Sequence, residues 1–253
     1  MTGITPRPAK SYSELNREWD RLAKERHRQI ASGEDLSFEH VVVPTIWHLF
    51  EGTDRAVVLD IGSGTGDFTA RLARVARRVI AVEPSQVSMA LARGVCRTAQ
   101  NVRFLEASLE EATSSLDEGS VTAAVAVMTL MTVPDLRGFA KSLATLLQTG
   151  ARFVATLTHP WFWPRYWGYE KEPWFRYEVE TFVEAPFVIS RCRTEIRTTH
   201  IHRPLAQYMS VFAEEGFQLN GLAEPMPAAE VQALYPAPWQ FPRFMGLRWQ
   251  KVT

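Results

Sequence analysis

Apolar residues along this chain recur in two rhythms, short unbroken runs and runs with helical spacing. Val57–Leu59, Arg78–Val82, Val102–Leu105, Val121–Val127 and Arg152–Leu157 are short and bounded by glycine, proline or charge, which predicts five buried strands. The nearly continuous Val121–Val127 predicts a central strand covered on both faces. Helical patterns lie between the runs. Phe68, Leu72 and Val75 follow Gly66; Val87, Met89, Ala90 and Leu91 follow Pro84 and Ser85; and a helix runs from Asp135 through Leu147 to a stop at Gly150. Strand and helix in alternation predict a doubly wound parallel α/β sheet.

The flanks read differently. Residues 1–10 carry two prolines and a glycine and are expected to be a disordered tail. Ser11 and Glu14 have capping-box spacing, and Leu15, Trp19, Leu22 and Ala23 then share one helical face, with Gly33 as the stop. Arg17, Arg21, Lys24 and Arg28 occupy the other face, which is ordinarily a solvated one. A second helix is expected around Val41–Phe50. Near the other end, Pro204 and Gly216 bracket a helix between His200 and Phe217, and Phe217–Ala223 and Phe244–Val252 read as two further strands. Residues 159–202 fall outside the sheet pattern, and within them Val179–Ile189 and Thr194–His202 predict an antiparallel hairpin. The expected division is a tail and helical cap over 1–52, an α/β core over 53–158, an inserted cap over 159–202, and the end of the core over 203–253.

Composition narrows the class of molecule. Lysine plus arginine and aspartate plus glutamate both number 28, so no global field attracts nucleic acid or an anionic membrane. Two cysteines, Cys96 and Cys192, make no C-x-x-C and no zinc spacing, and are expected to be reduced and buried. No apolar run approaches the roughly 20 residues that span a bilayer, and the first ten residues lack the apolar core of a signal peptide. A cytoplasmic location is expected, with no membrane and no nucleic-acid partner.

The chemistry is concentrated at residues 57–69, V-V-L-D-I-G-S-G-T-G-D-F-T. Glycines 62, 64 and 66 follow a strand and precede a helix, at the carboxyl edge where open α/β sheets bind ligands. A dinucleotide turn places its third glycine five residues after the first; here that position is Asp67. Asp60 precedes the first glycine by two. This D-x-G-x-G-x-G arrangement resembles motif I of the class I S-adenosylmethionine-dependent methyltransferases, over about residues 55–158 and 203–252.

The resemblance implies a Rossmann-like seven-stranded sheet with an antiparallel last strand, an N-terminal helical cap, and an aromatic-rich cap inserted after the fifth strand. It implies S-adenosylmethionine as cofactor and S-adenosylhomocysteine as product. Asp60, Gly62, Gly64 and Gly66 would form the cofactor turn. Glu83, 21 residues past Gly62, would accept both ribose hydroxyls. Ser108 and Leu109 would meet the adenine, although the family often has an acid there and this stretch reads E-A-S-L-E-E. Val127 and Met128 would lie beside the methionine moiety. Trp19, Arg26 and His27 are candidates to reach it from the first helix.

The inserted segment should choose the acceptor. From Trp161 to Tyr177, nine of 17 residues are aromatic, where the chain's 11% average gives about two. Trp161, Trp163, Tyr166, Trp167 and Trp174 are the candidate pocket walls, against the plainer reading of a satellite core. Candidate bases are His159, at the end of the fifth strand and the first choice, then Glu170, His200 and His202. The last two would share one strand face, but two histidines without a third ligand do not make a metal site. The expected reaction moves a methyl group to an oxygen or nitrogen of a small molecule, aromatic or cationic in part. Rival readings are methylation of RNA or protein, a nicotinamide oxidoreductase, and a non-catalytic protein that binds the cofactor. Acceptor identity and oligomeric state stay open at this point.

Overall fold

The central strand earns its place by burial. The first six residues of Val121–Val127 are buried, and small alanines at 123, 124 and 126 let helices close on both faces. The computed structural model of the chain describes residues 3–190 and 193–253. Cys192 lies outside them. Ten strands occur among the described residues: β1 (Thr5–Arg7), β2 (Val57–Ile61), β3 (Arg78–Val82), β4 (Val102–Leu105), β5 (Val121–Val127), β6 (Leu147–Thr158), β7 (Thr181–Val188), β8 (Arg193–His202), β9 (Phe217–Ala223) and β10 (Phe244–Lys251).

Seven of them form one sheet in the order β4-β3-β2-β5-β6-β10-β9. All neighbours from β4 to β6 are parallel, and β10 runs antiparallel to both β6 and β9. The chain winds outward from β2 to β4, then restarts at β5 and winds the other way. The point of reversal lies between the carboxyl ends of β2 and β5, where this class of sheet opens a crevice. Helices α3 (Asp67–Ala73), α4 (Gln86–Val95) and α6 (Leu136–Leu146) cross between strands and cover the faces. The core includes an aromatic triangle, with Trp249 stacked on Phe153 at 5.4 Å and on Phe212 at 4.5 Å, and those two rings 5.5 Å apart.

The amino-terminal segment corrects one expectation. Residues 5–7 are not part of a loose tail; β1 pairs antiparallel with β7, which pairs with β8, in a second, three-stranded sheet. The edge position tolerates Pro6, which has no N–H to give. Charge fixes the segment. Lys10 Nζ lies 2.6 Å from Glu18 and 2.8 Å from Glu184, while Arg7 and Arg197 also bind Glu184. Glu18 belongs to the long helix α1 (Tyr12–Ala31), which opens on a complete Ser11–Glu14 capping box. The buried ion network therefore unites α1, the amino-terminal strand and the inserted hairpin into one cap.

Arg203 anchors the base of this cap. Its fully buried guanidinium binds Glu180 and the carbonyls of Leu130, Val133 and Pro134, the loop that follows β5. A buried cation is tolerated only when paired and hydrogen-bonded in this way. Among the described residues no helix is long and apolar enough to cross a membrane.

Candidate functional site

Each glycine of the turn after β2 meets a different constraint. Gly62, Gly64 and Gly66 have φ of 65°, 55° and 85°, a region that L side chains rarely enter. A Cβ on Gly62 would fall 2.5 Å from the Thr129 side chain, and one on Gly66 would fall 2.7 Å from the Ala92 Cα. At Gly64 a Cβ would meet only the Gly62 carbonyl, at 4.0 Å. Gly62 and Gly64 line a cavity at the carboxyl ends of β2, β3 and β5; Gly66 does not. Gly66 is thus a packing glycine, there because α3 and α4 approach too closely for a side chain, and not a wall of the cofactor site.

The acids follow from the same geometry. Asp60 is buried on β2 and accepts from the Thr69 hydroxyl at 2.6 Å. Burial pushes its carboxyl up to about 6, with the Thr69 hydrogen bond opposing. Glu83 ends β3 and accepts two backbone N–H bonds, from Ser85 at 2.8 Å and Gly64 at 2.9 Å. Burial pushes it up to about 7; the two N–H groups pull it down, and Asp60 and Asp20 push it up again. Both carboxyls line the cavity.

At the far end of the cavity stand Ser108 and Leu109. The Ser108 hydroxyl already accepts the Glu111 N–H as the cap of α5 (Leu109–Ala112). Sequence reasoning missed the neighbour that matters more. Glu110 lines the cavity, holds the Tyr12 hydroxyl at 2.6 Å through one oxygen, and buries the other with no partner. The available signal was the second acid of E-A-S-L-E-E, two residues past the position where an acid was expected. Ser63 also lines this cavity with a buried, unpartnered hydroxyl. The glycine cradle, the two strand-end carboxyls and these two orphaned acceptors fit a ligand with a hydroxylated sugar and an exocyclic amine.

Val127 and Met128 line the same cavity, and Met128 has φ of 57°, which no other non-glycine described residue matches. Its N–H donates to the Thr156 carbonyl at 2.9 Å, which holds this uncommon conformation in place. From the cap, Trp19 and Arg26 close the roof. Trp19 meets Phe187 of β7 edge-on at 6.1 Å. Arg26 pairs with Asp35 at 2.6 Å and lies over the rings of Phe38 and Phe187. His27, the third candidate on that helix, is not a lining residue.

A second cavity adjoins the first. It lies between the hairpin β7–β8, helix α7 (Phe162–Trp167) and the ends of β5 and β6, and the two share Trp19, Arg26, Phe38, Met128 and Thr132. Trp163, Trp167 and His200 line it. The indoles stand four residues apart on α7, so both fall on one helical face. His200 shares a hydrogen bond with the Tyr169 hydroxyl at 3.0 Å, and burial, with His202 beside it, holds its pKa down to about 3.

The remaining candidates lie elsewhere. His159 Nδ1 accepts the Trp161 and Phe162 N–H groups at 3.2 Å, and its Nε2 gives its proton to Glu224 at 2.8 Å. Both nitrogens of the buried His159 are engaged and it lines neither cavity, which favours a structural role. His202 is bound to the Tyr177 carbonyl at 2.9 Å. Glu170 is exposed on an outer groove with Arg165 and Lys171. Trp161, 59% exposed, packs edge-on against Tyr177, and Tyr166 lies under the Arg243 guanidinium at 4.0 Å. Trp174 stacks on Tyr169 and follows the plainer reading, a satellite core with Ile4, Val183 and Ala185, whereas Trp161 and Tyr166 are exposed on the outside of the cap.

Residues 59–155 match the methyltransferase domain family. A biotin biosynthesis bifunctional protein BioHC of Cellvibrio japonicus is 35% identical over 113 residues, 41% of this chain and 20% of that protein. A demethylmenaquinone methyltransferase of Tropheryma whipplei is 31% identical over 104 residues, 41% of this chain and 42% of that protein. The matches thus span less than half of either relative. Among solved structures, an S-adenosylmethionine-dependent methyltransferase from Listeria monocytogenes superposes with a TM-score of 0.62 at 21% identity, over 83% of this chain and 99% of that one.

Proposed function

We propose that this chain, whose residues 59–155 belong to the methyltransferase domain family and whose fold is that of the class I enzymes, transfers a methyl group from S-adenosylmethionine to a small molecule. One observation carries the reading. The cavity built by the glycine turn shares Met128 and Thr132 with an adjoining second cavity roofed by an aromatic cap. A cofactor in the first and an acceptor in the second would meet at that junction. The second cavity has a volume of about 160 Å³, the order of one aromatic ring, which favours a small acceptor over a nucleic acid or a protein. The Tropheryma whipplei relative acts, by its name, on demethylmenaquinone.

The geometry supports these roles. Glu83 would accept the ribose hydroxyls, Glu110 would offer its unpartnered oxygen to the adenine amine, and Gly64 would leave room for the backbone to approach the amino-acid end. S-adenosylmethionine supplies an electrophilic methyl group, which passes to the acceptor as S-adenosylhomocysteine is left. The protein's contribution is alignment and exclusion of water. Among the described residues lining the acceptor cavity, His200 is held neutral and weakly basic by burial, and Asp35 is paired with Arg26, which speaks against either as a strong base.

Calorimetric titration with S-adenosylmethionine, S-adenosylhomocysteine and NADH tests the reading. Binding of the first two, with none of NADH, is expected. Tight NADH binding without S-adenosylhomocysteine binding would return the nicotinamide alternative, and nucleic-acid binding that falls steeply with salt would return the macromolecular one.

A further inference from the structure

The acceptor cavity carries a chemical signature of its own. The Nε1 atoms of Trp163 and Trp167 are both buried without a hydrogen-bond partner, and both residues line this cavity. An indole N–H is a donor only. Leaving two such groups buried and unpaired is costly. The two rings are 6.0 Å apart on one face of α7, close enough to address a single small molecule together.

Charge completes the signature. Among the described residues that line the cavity, Arg26 and Asp35 are the charged ones, and they neutralise each other at 2.6 Å. The Arg26 guanidinium is further occupied by the Phe38 and Phe187 ring faces. His200 is spoken for by Tyr169 and stays neutral. A carboxylate entering here meets a guanidinium already paired with Asp35, although Arg26 Nη1 makes no hydrogen bond, and an ammonium meets a carboxylate already paired with Arg26. Either would have to displace that pairing to regain what it loses with its water. The other walls are aromatic and aliphatic, with Phe187, Phe244 and Ile189 among them, interrupted by the hydroxyl side chains of Ser37, Thr132, Thr158, Thr198 and Thr199.

We infer that the methyl acceptor is an uncharged planar ring bearing two hydrogen-bond-accepting atoms, held by the indole N–H groups of Trp163 and Trp167. This rests on the methyltransferase reading for the word acceptor, but the recognition itself belongs to the cavity. It also replaces the cationic acceptor that the aromatic composition suggested, because the Phe38 and Phe187 faces already hold Arg26 and the lining carboxylate, Asp35, is paired.

The test uses protein with 15N-labelled tryptophan indoles, saturated with S-adenosylhomocysteine, and four single-ring probes. They are 4-pyranone, which is neutral with two acceptor oxygens, benzene, benzoate and benzylammonium. Indole signals are assigned with Trp163→Phe and Trp167→Phe, and titration of each probe is followed by NMR. The expectation is that 4-pyranone moves both indole N–H protons downfield and binds about tenfold more tightly than the other three. Each Phe variant should reduce that preference by about three- to tenfold. Equal binding of benzene, or tighter binding of either charged probe, would overturn the inference. So would a 4-pyranone preference that survives both substitutions. Where a variant does not fold, the wild-type shifts and the probe ranking still decide. Failure of S-adenosylhomocysteine to bind would sink the methyltransferase reading alone, since the probes can be titrated without it.

Discussion

Gly64 donates its backbone N–H to the Glu83 carboxylate across 2.9 Å, tying the tips of two adjacent parallel strands together. The carboxylate that binds the turn is also the one offered to the ribose, and it does both while buried. Its pKa, about 7, lies well above the ordinary 4.5. Between those values the folded chain keeps a proton that the unfolded chain has lost, so this group lowers stability as pH rises from 4.5 to 7. Glu83→Gln should therefore remove a slope worth about 2–3 kcal/mol over that window, measured by urea unfolding at pH 4.5 to 8. Asp60, raised from 3.8 to about 6, retains its smaller contribution of the same sign. Affinity for S-adenosylhomocysteine should fall at least tenfold at pH 8. An unchanged pH slope would mean that Glu83 is ionised in the apo protein.

The glycine turn yields a sharper separation. Gly66→Ala forces a side chain against the Ala92 backbone at φ of 85°, so the strain and clash should cost several kcal/mol of stability. Gly64→Ala meets open space and should cost only the left-handed backbone strain, about 1–2 kcal/mol. Cofactor affinity should nonetheless collapse in the Gly64 variant, because the added methyl group projects where the ligand approaches. Thermal melts alongside calorimetry distinguish the two. Equal destabilisation with equal loss of affinity would contradict this division of roles.

That division marks what the sequence could and could not carry. The strands were legible as apolar runs, and β2, β3, β4 and β9 are each followed by a glycine or an acid; the seven-stranded arrangement came with the family resemblance. Asp60 and Glu83 were legible because strand ends fix their place whatever the side chains do. The glycines looked alike, since spacing records conformation and not what a Cβ would strike. Glu110 was hidden because its importance lies in one unpaired oxygen. The cap was the least legible part. Its aromatic density was plain, but which of nine rings face inward depends on a two-turn helix and a hairpin docking through buried charges. The Pro6 strand was masked by its own composition, since a three-residue edge strand held by Lys10 and Arg7 has the look of a tail.

His159 illustrates the same limit at one residue. A histidine at the end of a central strand invites a catalytic reading, yet its two nitrogens close the start of α7 and reach Glu224. His159→Ala should cost about 2–3 kcal/mol, since two backbone N–H groups lose their acceptor and a buried side chain is removed. S-adenosylhomocysteine affinity should stay within about twofold. A variant of native stability with lost transfer activity would restore the catalytic reading.

His200 should govern the acid limb of stability. Its folded pKa of about 3 lies below the ordinary 6.5, with burial the main cause and His202 the second. Above 6.5 both folded and unfolded chains leave it neutral, and its neutral burial costs nothing. As pH falls from 6.5 toward 3, the unfolded chain takes up a proton that the folded chain refuses, so stability is lost across that window. At pH 5 the loss amounts to about 2 kcal/mol as an upper limit. His202, also depressed by burial, adds in the same direction. His200→Phe removes the proton site while keeping an aromatic ring in the wall, so its stability should fall less between pH 7 and 5 than that of the wild type. Tyr169→Phe is the control, because it removes the 3.0 Å hydrogen bond and leaves the imidazole. That variant should be destabilised at pH 7 and keep the wild-type acid slope. If His200→Phe also keeps the wild-type slope, the imidazole is protonated in the folded protein, and the cavity is not the uncharged site that its walls describe.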